Sequence, residues 1–502
     1  MSIDLLQEKI RKLKNPTMVG LDPILELIPE HIKKAAYAEY IRDCLGKASN
    51  AAEEYKDLYK FVRAAFKKYP TLKLRGILGN CSVQIAQLYS GNSDDWFFEF
   101  YLDRAISLLG DIKSEYEEQF AKNISAITLK DLEEYYLMFS SVSSLCFLNA
   151  IYCERKNDMD GAEKYILEGV EAAEYSAKHF IEDYDTQLTL VRAYSNAAKC
   201  YIKKKDFGKA EEYINLGLPK AAEIGEVTHS LYAGELVVSL RMLKALVYSE
   251  QGQQEKELEC YLENVKNMEM SSLTPSMMGT LCLNYDKVVD ISYERGDYSL
   301  CAAIAEKCFM LYSKILSEAD FAKVQDRLVK ILAKSRAKLG EAEAATELAI
   351  ASFKAKNSAF QQYPSDKTAL EHSESLYFLA DIYYELRNYA VAAETYDKGL
   401  LFSKTVMMSY PDVGEINLEN VVRAYGFMAK AYAKLGKKSD ALHSIKKGVT
   451  IRKRVYKDLG SATSGEKYAA CYEVFGEVYE ILGKPKDAKS CYEKAAEIRK
   501  KL

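Results

Sequence analysis

One pattern of small and aromatic residues returns along most of this chain, and few folds can accommodate it. In the last copy Tyr472, Phe475, Gly476 and Tyr479 lead to a turn at Gly483, after which Ala488, Tyr492 and Ala495 follow. Tyr425, Ala429, Tyr432, Gly436, Ala441, Ile445 and Gly448 fill the same slots. So do Leu376, Ala380, Tyr383, Ala392, Tyr396 and Gly399, and Tyr194, Ala198, Tyr201, Ala210, Ile214 and Gly217. Weaker copies hold Ala333, Gly340, Ala345 and Ala349, then Val289, Gly296, Cys301 and Ala305, then Ala245, Tyr248, Gly252 and Tyr261. The faintest centre on Ala162 and, with Phe98 in the alanine slot, on Ala86 and Tyr89.

Each copy reads as two antiparallel helices. Ala198, Ala380, Ala429 and Gly476 stand on the first helix where the second crosses it, and Ala210, Ala392, Ala441 and Ala488 open the second helix and face them. A larger side chain at either place would push the helix axes beyond the usual ~8–10 Å. Tyrosine and leucine fill the remaining volume. A glycine in the turn supplies the positive φ that a helix C-terminus favours.

This arrangement resembles the tetratricopeptide repeat (TPR) family. The resemblance implies an all-α fold, a right-handed superhelix (α-solenoid) over about residues 84–502, with eight or nine units. The second-helix markers stand at 98, 162, 210, 257, 301, 345, 392, 441 and 488. After the first interval of 64 they are spaced 44–49 residues apart, against ~34 for the standard motif. The extra length predicts longer helices or longer connections. The wide first interval predicts an additional or irregular helix pair around residues 106–140. Pro275, Pro364 and Pro411 fall between units, and Pro485 falls at a helix start where its missing N–H costs nothing.

Residues 1–36 do not fit the repeat, and residues 37–83 read as a helical N-terminal region. The stretch from Lys9 to Pro23, followed by Glu26 to Ile32, resembles the start of bacterial orotidine 5′-phosphate decarboxylase. There the resemblance implies a first helix and first barrel strand, with the aspartate matching Asp22 near the nucleotide ribose. It covers about 35 residues. The family's Asp-x-Lys-x-x-Asp run is absent: Tyr492 ends the one begun by Asp487 and Lys489, and Tyr116 ends the one begun by Asp111 and Lys113. An eight-stranded barrel also needs ~200 or more residues. The segment is therefore read as a fusion or captured gene fragment, and no catalytic residue is expected.

Composition narrows the function classes. Gly 25 and Pro 9 occur among 502 residues, where an average chain of this length carries about 60 of the two. That deficit argues against strand-rich or disordered architectures. Lys+Arg 69 against Asp+Glu 73 leaves a net charge of −4, so no global basic field draws nucleic acid. No apolar run reaches the ~18 residues of a membrane span. Eleven cysteines lack metal spacing, and five histidines lack triad company. Free thiols without an export signal point to the cytoplasm. Neither cofactor nor metal is expected. The single tryptophan, Trp96, reads as core filling of an atypical first unit, with an exposed partner anchor as the other reading. The run Lys203-Lys204-Lys205 suits the negative end of a first helix.

In TPRs the concave groove is lined from fixed first-helix positions. Counting eleven residues back from successive markers gives Asp290, Lys334, Asp381, Lys430 and Glu477, and four further on stand Glu294, Lys338, Glu385, Lys434 and then Ile481. Signs alternate from unit to unit. Lys199 and Lys203 hold the same places in an earlier unit. The alternation predicts that Lys334 meets Asp290 or Asp381, and Lys430 meets Asp381 or Glu477. These are the candidate groove-lining residues. The expected function is a non-enzymatic protein-interaction module holding a peptide or partner protein, with neither nucleic acid nor membrane as partner. The alternative is a peptide-sensing regulator resembling Gram-positive TPR receptors. Those carry an N-terminal helix-turn-helix or three-helix bundle; residues 33–80 are helical enough for one, without an evident recognition helix. Orotidine 5′-phosphate decarboxylase remains the remote alternative, on the N-terminal segment alone.

Overall fold

The turn inside each unit sets the geometry of the whole chain. The computed structural model describes residues 48–502 apart from 91–94, 113, 116–117, 119–128, 180, 182, 272 and 410–413. Eight times, the residue five before a marker has positive φ: Asn157, Lys205, Gly252, Gly296, Gly340, Arg387, Gly436 and Gly483, between 59° and 82°. In each case the helix ends, the chain reverses, and a new helix begins so that the marker is its fourth residue. Five of the eight are glycine, the residue that adopts this conformation without a Cβ clash. Asn157, Lys205 and Arg387 adopt it at a steric cost.

The result is a run of antiparallel hairpins. Helix α1 (Ala48–Lys68) precedes them. The first hairpin is α2 (Leu72–Tyr89) with α3 (Asp95–Leu109), followed by α4 (Leu129–Arg155) with α5 (Met159–His179) and α6 (Tyr184–Lys203) with α7 (Phe207–Thr228). Next come α8 (Leu231–Glu250) with α9 (Gln254–Glu269), α10 (Pro275–Glu294) with α11 (Tyr298–Ile315), and α12 (Glu318–Lys338) with α13 (Ala342–Gln362). The last three are α14 (Asp366–Glu385) with α15 (Tyr389–Ser409), α16 (Gly414–Lys434) with α17 (Lys438–Leu459), and α18 (Ala462–Ile481) with α19 (Pro485–Arg499). No strand occurs among the described residues. The fold is an all-α TPR solenoid. Its long period is taken up by helices mostly of 18–22 residues.

Within the wide first interval residues 129–155 form one 27-residue helix, and residues 112, 114–115 and 118 before it are also helical. One sequence expectation changes here. Trp96 does not fill the core. It is 63% exposed, with its ring stacked on Phe100 at 5.4 Å between centroids, while its neighbour Phe98 takes the buried marker slot at 0%. The segment resembling a decarboxylase, with Asp22, lies outside the described residues.

The described residues up to Asn284 form one compact unit and those from Tyr285 a second. In each, the core is a series of local clusters shared by successive hairpins. The first unit has clusters around Phe98, Ala197 and Leu240, and the second around Phe378, Tyr396 and Ala469. The small residues lie at the crossings. Ala198, Ala210, Ala380, Ala392, Ala429 and Ala441 are fully buried, and Ala488 is nearly so. A Cβ built on Gly476 would stand 2.5 Å from the ring of Tyr492, and one on Gly399 would stand 2.7 Å from the ring of Tyr377. Tyr377 cannot swing away, because its hydroxyl bonds Ser403 at 2.7 Å inside a buried network with Ser373 and Asn417. Gly448 differs: its Cβ would meet Tyr425 at an ordinary 3.5 Å.

Gly399→Ala and Gly476→Leu should each destabilise the protein by about 1–3 kcal/mol through overpacking. Gly448→Ala should be neutral or stabilising by up to about 1 kcal/mol, because helix-interior glycine is entropically unfavourable. Urea unfolding of the three variants separates these outcomes. Arg387→Gly relieves a left-handed residue and should stabilise by about 0.5–1 kcal/mol, read as a higher unfolding midpoint.

Candidate binding wall and cleft

First helices touch the first helices of neighbouring hairpins: α4 with α6 and α6 with α8 in the first unit, and α12 with α14, α14 with α16 and α16 with α18 in the second. Among the described residues no pair of second helices packs to the same extent. First helices therefore form one continuous layer, or wall, of each stack.

On the wall of the second unit, charges are satisfied by neighbouring helices. Lys430 of α16 pairs with Glu477 of α18. Lys338 of α12 pairs with Glu385 of α14 at 2.5 Å, which raises the lysine's pKa above its ordinary value. Lys334 departs from the expected ladder: it is half-buried and, among the described residues, makes no ion pair with Asp290 or Asp381. Those two acids are taken by arginines. Arg327 reaches Asp290 at 2.7 Å and also bonds Asp286. Arg423 holds both oxygens of Asp381, at 3.0 and 2.8 Å. The reason is reach and register. Each arginine lies seven residues, two turns, before the expected lysine; Arg423 uses one terminal nitrogen for both oxygens of Asp381, and Arg327 spreads its two over Asp290 and Asp286. A tyrosine from the intervening second helix completes each cluster, Tyr312 on Asp286 at 2.6 Å and Tyr396 on Asp381 at 2.5 Å. Burial and then Asp381 push the Tyr396 phenol upward, so it remains a donor.

Glu294 and Lys434 are exposed at the ends of their helices. In the first unit Lys199 is exposed on α6. Lys203 bonds Glu154 at 2.5 Å, and Lys204 bonds Asp160 at 2.9 Å and also Glu163. The lysine run thus ties one hairpin to the preceding one.

Sequence reasoning missed the arginines and the cleft beside them. A signal existed: Arg327 and Arg423 both stand eighteen residues before their markers. Between α16, α17 and α18 lies a cleft of about 350 Å³. Val422, Gly426 and Phe427 of α16, Ile445 and Gly448 of α17, and Cys471 and Val474 of α18 supply its apolar surface. Burial pushes the Cys471 thiol up to about 11, so it is neutral. Arg423 and Lys430 flank the face of Phe427, 5.6 and 5.3 Å from the ring centre. At one end Glu419 accepts from Arg452, with one bond at 2.8 Å, and from Lys467 at 2.7 Å. Burial alone would raise Glu419, but Arg452 and Lys467 outweigh it and hold the carboxyl below the ordinary glutamate value.

Among the described residues, no group of three or more His, Cys, Asp or Glu could hold a metal ion. No described helix is long and apolar enough to cross a membrane.

The tetratricopeptide repeat family matches residues 191–218, 373–404 and 469–502, one stretch in the first unit and two in the second. These stretches are tetratricopeptide repeats. A search of curated proteins finds no match. Among solved structures, the apo form of RapI is similar at 12% identity, covering 94% of this chain and 98% of that one, with a TM-score of 0.41. The apo quorum sensor NprR from B. thuringiensis is similar at 14% identity over 92% and 99% of the two chains, TM-score 0.32. Yeast Tom70 is similar at 11% identity over 93% and 95%, TM-score 0.28.

A carboxyl whose folded pKa lies below its unfolded value contributes stability above the unfolded value and loses it as pH falls through the folded one. Glu419→Gln should therefore be less stable than the parent at pH 7. The gap should narrow as pH drops below about 4, where an unfolded glutamate protonates. Urea titrations at pH 7, 5 and 3.5 give the comparison.

Proposed function

We propose that this chain is a non-enzymatic protein-interaction module that receives a segment of a partner protein along the first-helix wall of its second unit. The observation that carries the reading is the wall itself: first helices in mutual contact, their free faces exposed, and the charges on them largely paired across neighbouring helices. Stacked helix hairpins present such surfaces to extended or helical segments. A wall whose charges are already paired favours an apolar or mixed-charge partner over a strongly anionic one. The repeats matched in both units support the same class of function. Ten free cysteines, none in a disulfide among the described residues, support a reducing compartment such as the cytoplasm.

Site-specific photocrosslinking tests this. A benzoylphenylalanine at Lys434, on the wall stripe of Arg423, Phe427 and Lys430, should form a discrete adduct in the producing cell. The same group at Lys446, on the exposed face of α17, should not. Adducts from Lys446 alone, or from neither position, would contradict the reading.

A further inference from the structure

We propose that the cleft between α16, α17 and α18 is an anchor pocket for one large apolar side chain of a protein segment that carries a carboxylate within a residue or two of it. This rests on the reading of the second unit's wall as a binding surface and names what that surface selects.

The cleft lies where two first-helix positions carry small residues. Eighteen residues before their markers, three consecutive units place Arg327, Glu374 and Arg423, whereas the last has Ala470. Fifteen before, two units place Lys330 and Tyr377, whereas α16 has Gly426. Ala470 and Gly426 both line the cleft. A Cβ on Gly426 would press on Val474 at 3.1 Å, so the glycine lets α18 come close, and a larger residue there would intrude on the cleft. Its floor, Val422, Ile445 and Cys471, is buried and carries no charge at neutral pH. At about 350 Å³ the cleft is at the small end of the ~300–1,000 Å³ range of ligand pockets. That suits one leucine, methionine or phenylalanine side chain rather than the face of a long helix.

The rim decides what accompanies the apolar group. Four cations line the cleft, Arg423, Lys430, Arg452 and Lys467, against one carboxylate, Glu419. Asp381 neutralises Arg423 and Glu477 neutralises Lys430 from outside it. Arg452 and Lys467 share Glu419 alone, which leaves one positive charge in surplus. Arg452 is buried with both terminal nitrogens on Glu419, whereas the Lys467 side chain is 45% exposed. The surplus is thus presented to a ligand by Lys467. A carboxylate beside the anchor would meet it at the mouth, and a second cation there would be repelled.

The test is selection of a random phage-displayed peptide library on the full chain, with affinities of synthetic copies measured by fluorescence anisotropy. Enriched peptides should share a leucine, methionine or phenylalanine with Asp or Glu within two residues. Ala470→Phe fills the mouth from an exposed helix position, so the fold should survive, as circular dichroism will verify; it should weaken binding at least about tenfold, the loss of a buried anchor. Lys467→Gln should weaken the same peptides by about threefold or more, and peptides with the acid changed to its amide should not respond to that substitution. Peptides that bind equally well to Ala470→Phe would overturn the cleft while leaving the wall as a binding surface. Sensitivity to Ala470→Phe without an acidic preference would overturn the charge selection. Failure to select any binder would overturn both.

Discussion

The close approach of two helices at a small residue is the constraint on which the rest depends. In every hairpin the marker is the fourth residue of the second helix, and a small residue or valine stands twelve positions earlier on the first: Ala86, Ala150, Ala198, Ala245, Val289, Ala333, Ala380, Ala429 and Gly476. Eight of those nine are at most 1% exposed, and Gly476 is buried. With the axes held near the ~8–10 Å that small contacts permit, aromatic side chains fill the space on either side. Each hairpin then buries its faces only with the help of its neighbours. The hydrophobic core accordingly becomes a succession of local clusters, and stability is a sum of hairpin and neighbour terms.

That packing also sorts the surface. Because first helices touch one another and second helices do not to the same degree, long polar side chains on first helices are within reach of the next unit. The wall of the second unit uses this: Arg327, Arg423, Lys338 and Lys430 each reach acids on a neighbouring first helix. Exposed pairs contribute only ~0.2–1 kcal/mol each. Their larger effect is to cancel charge along this face. Around Glu419 the cancellation is incomplete, and there the first helices also border a cleft.

The hairpin plan was legible because close packing demands particular residues at particular spacings. All nine markers and the positive-φ turns at the five glycines could be read directly. Asn157, Lys205 and Arg387 hide the same turn, since any residue can adopt it when the flanking helices leave no choice. The pattern already places Phe98 in the buried slot; Trp96, two positions before it, reads as core filling, and the structure instead leaves it exposed, its other reading. The charge ladder was half legible. Lys430 finds Glu477 by simple repetition, but the acids at 290 and 381 go to arginines two turns earlier, and only side-chain reach decides between such partners. The cleft was not legible at all. It lies between three helices beside Gly426 and Ala470, and a space between helices becomes visible only once they are placed.

If neighbouring hairpins are coupled through these crossings, a lesion at one crossing must spread by proximity. Native-state hydrogen exchange on Ala429→Leu, which overfills the α16–α17 crossing, measures this directly. Protection should fall most in α16 and α17, less in α14, α15, α18 and α19, and not at all in α4 to α8. Equal loss of protection across every helix, or none in α16 and α17, would contradict a structure built from small-residue crossings and nearest-neighbour packing.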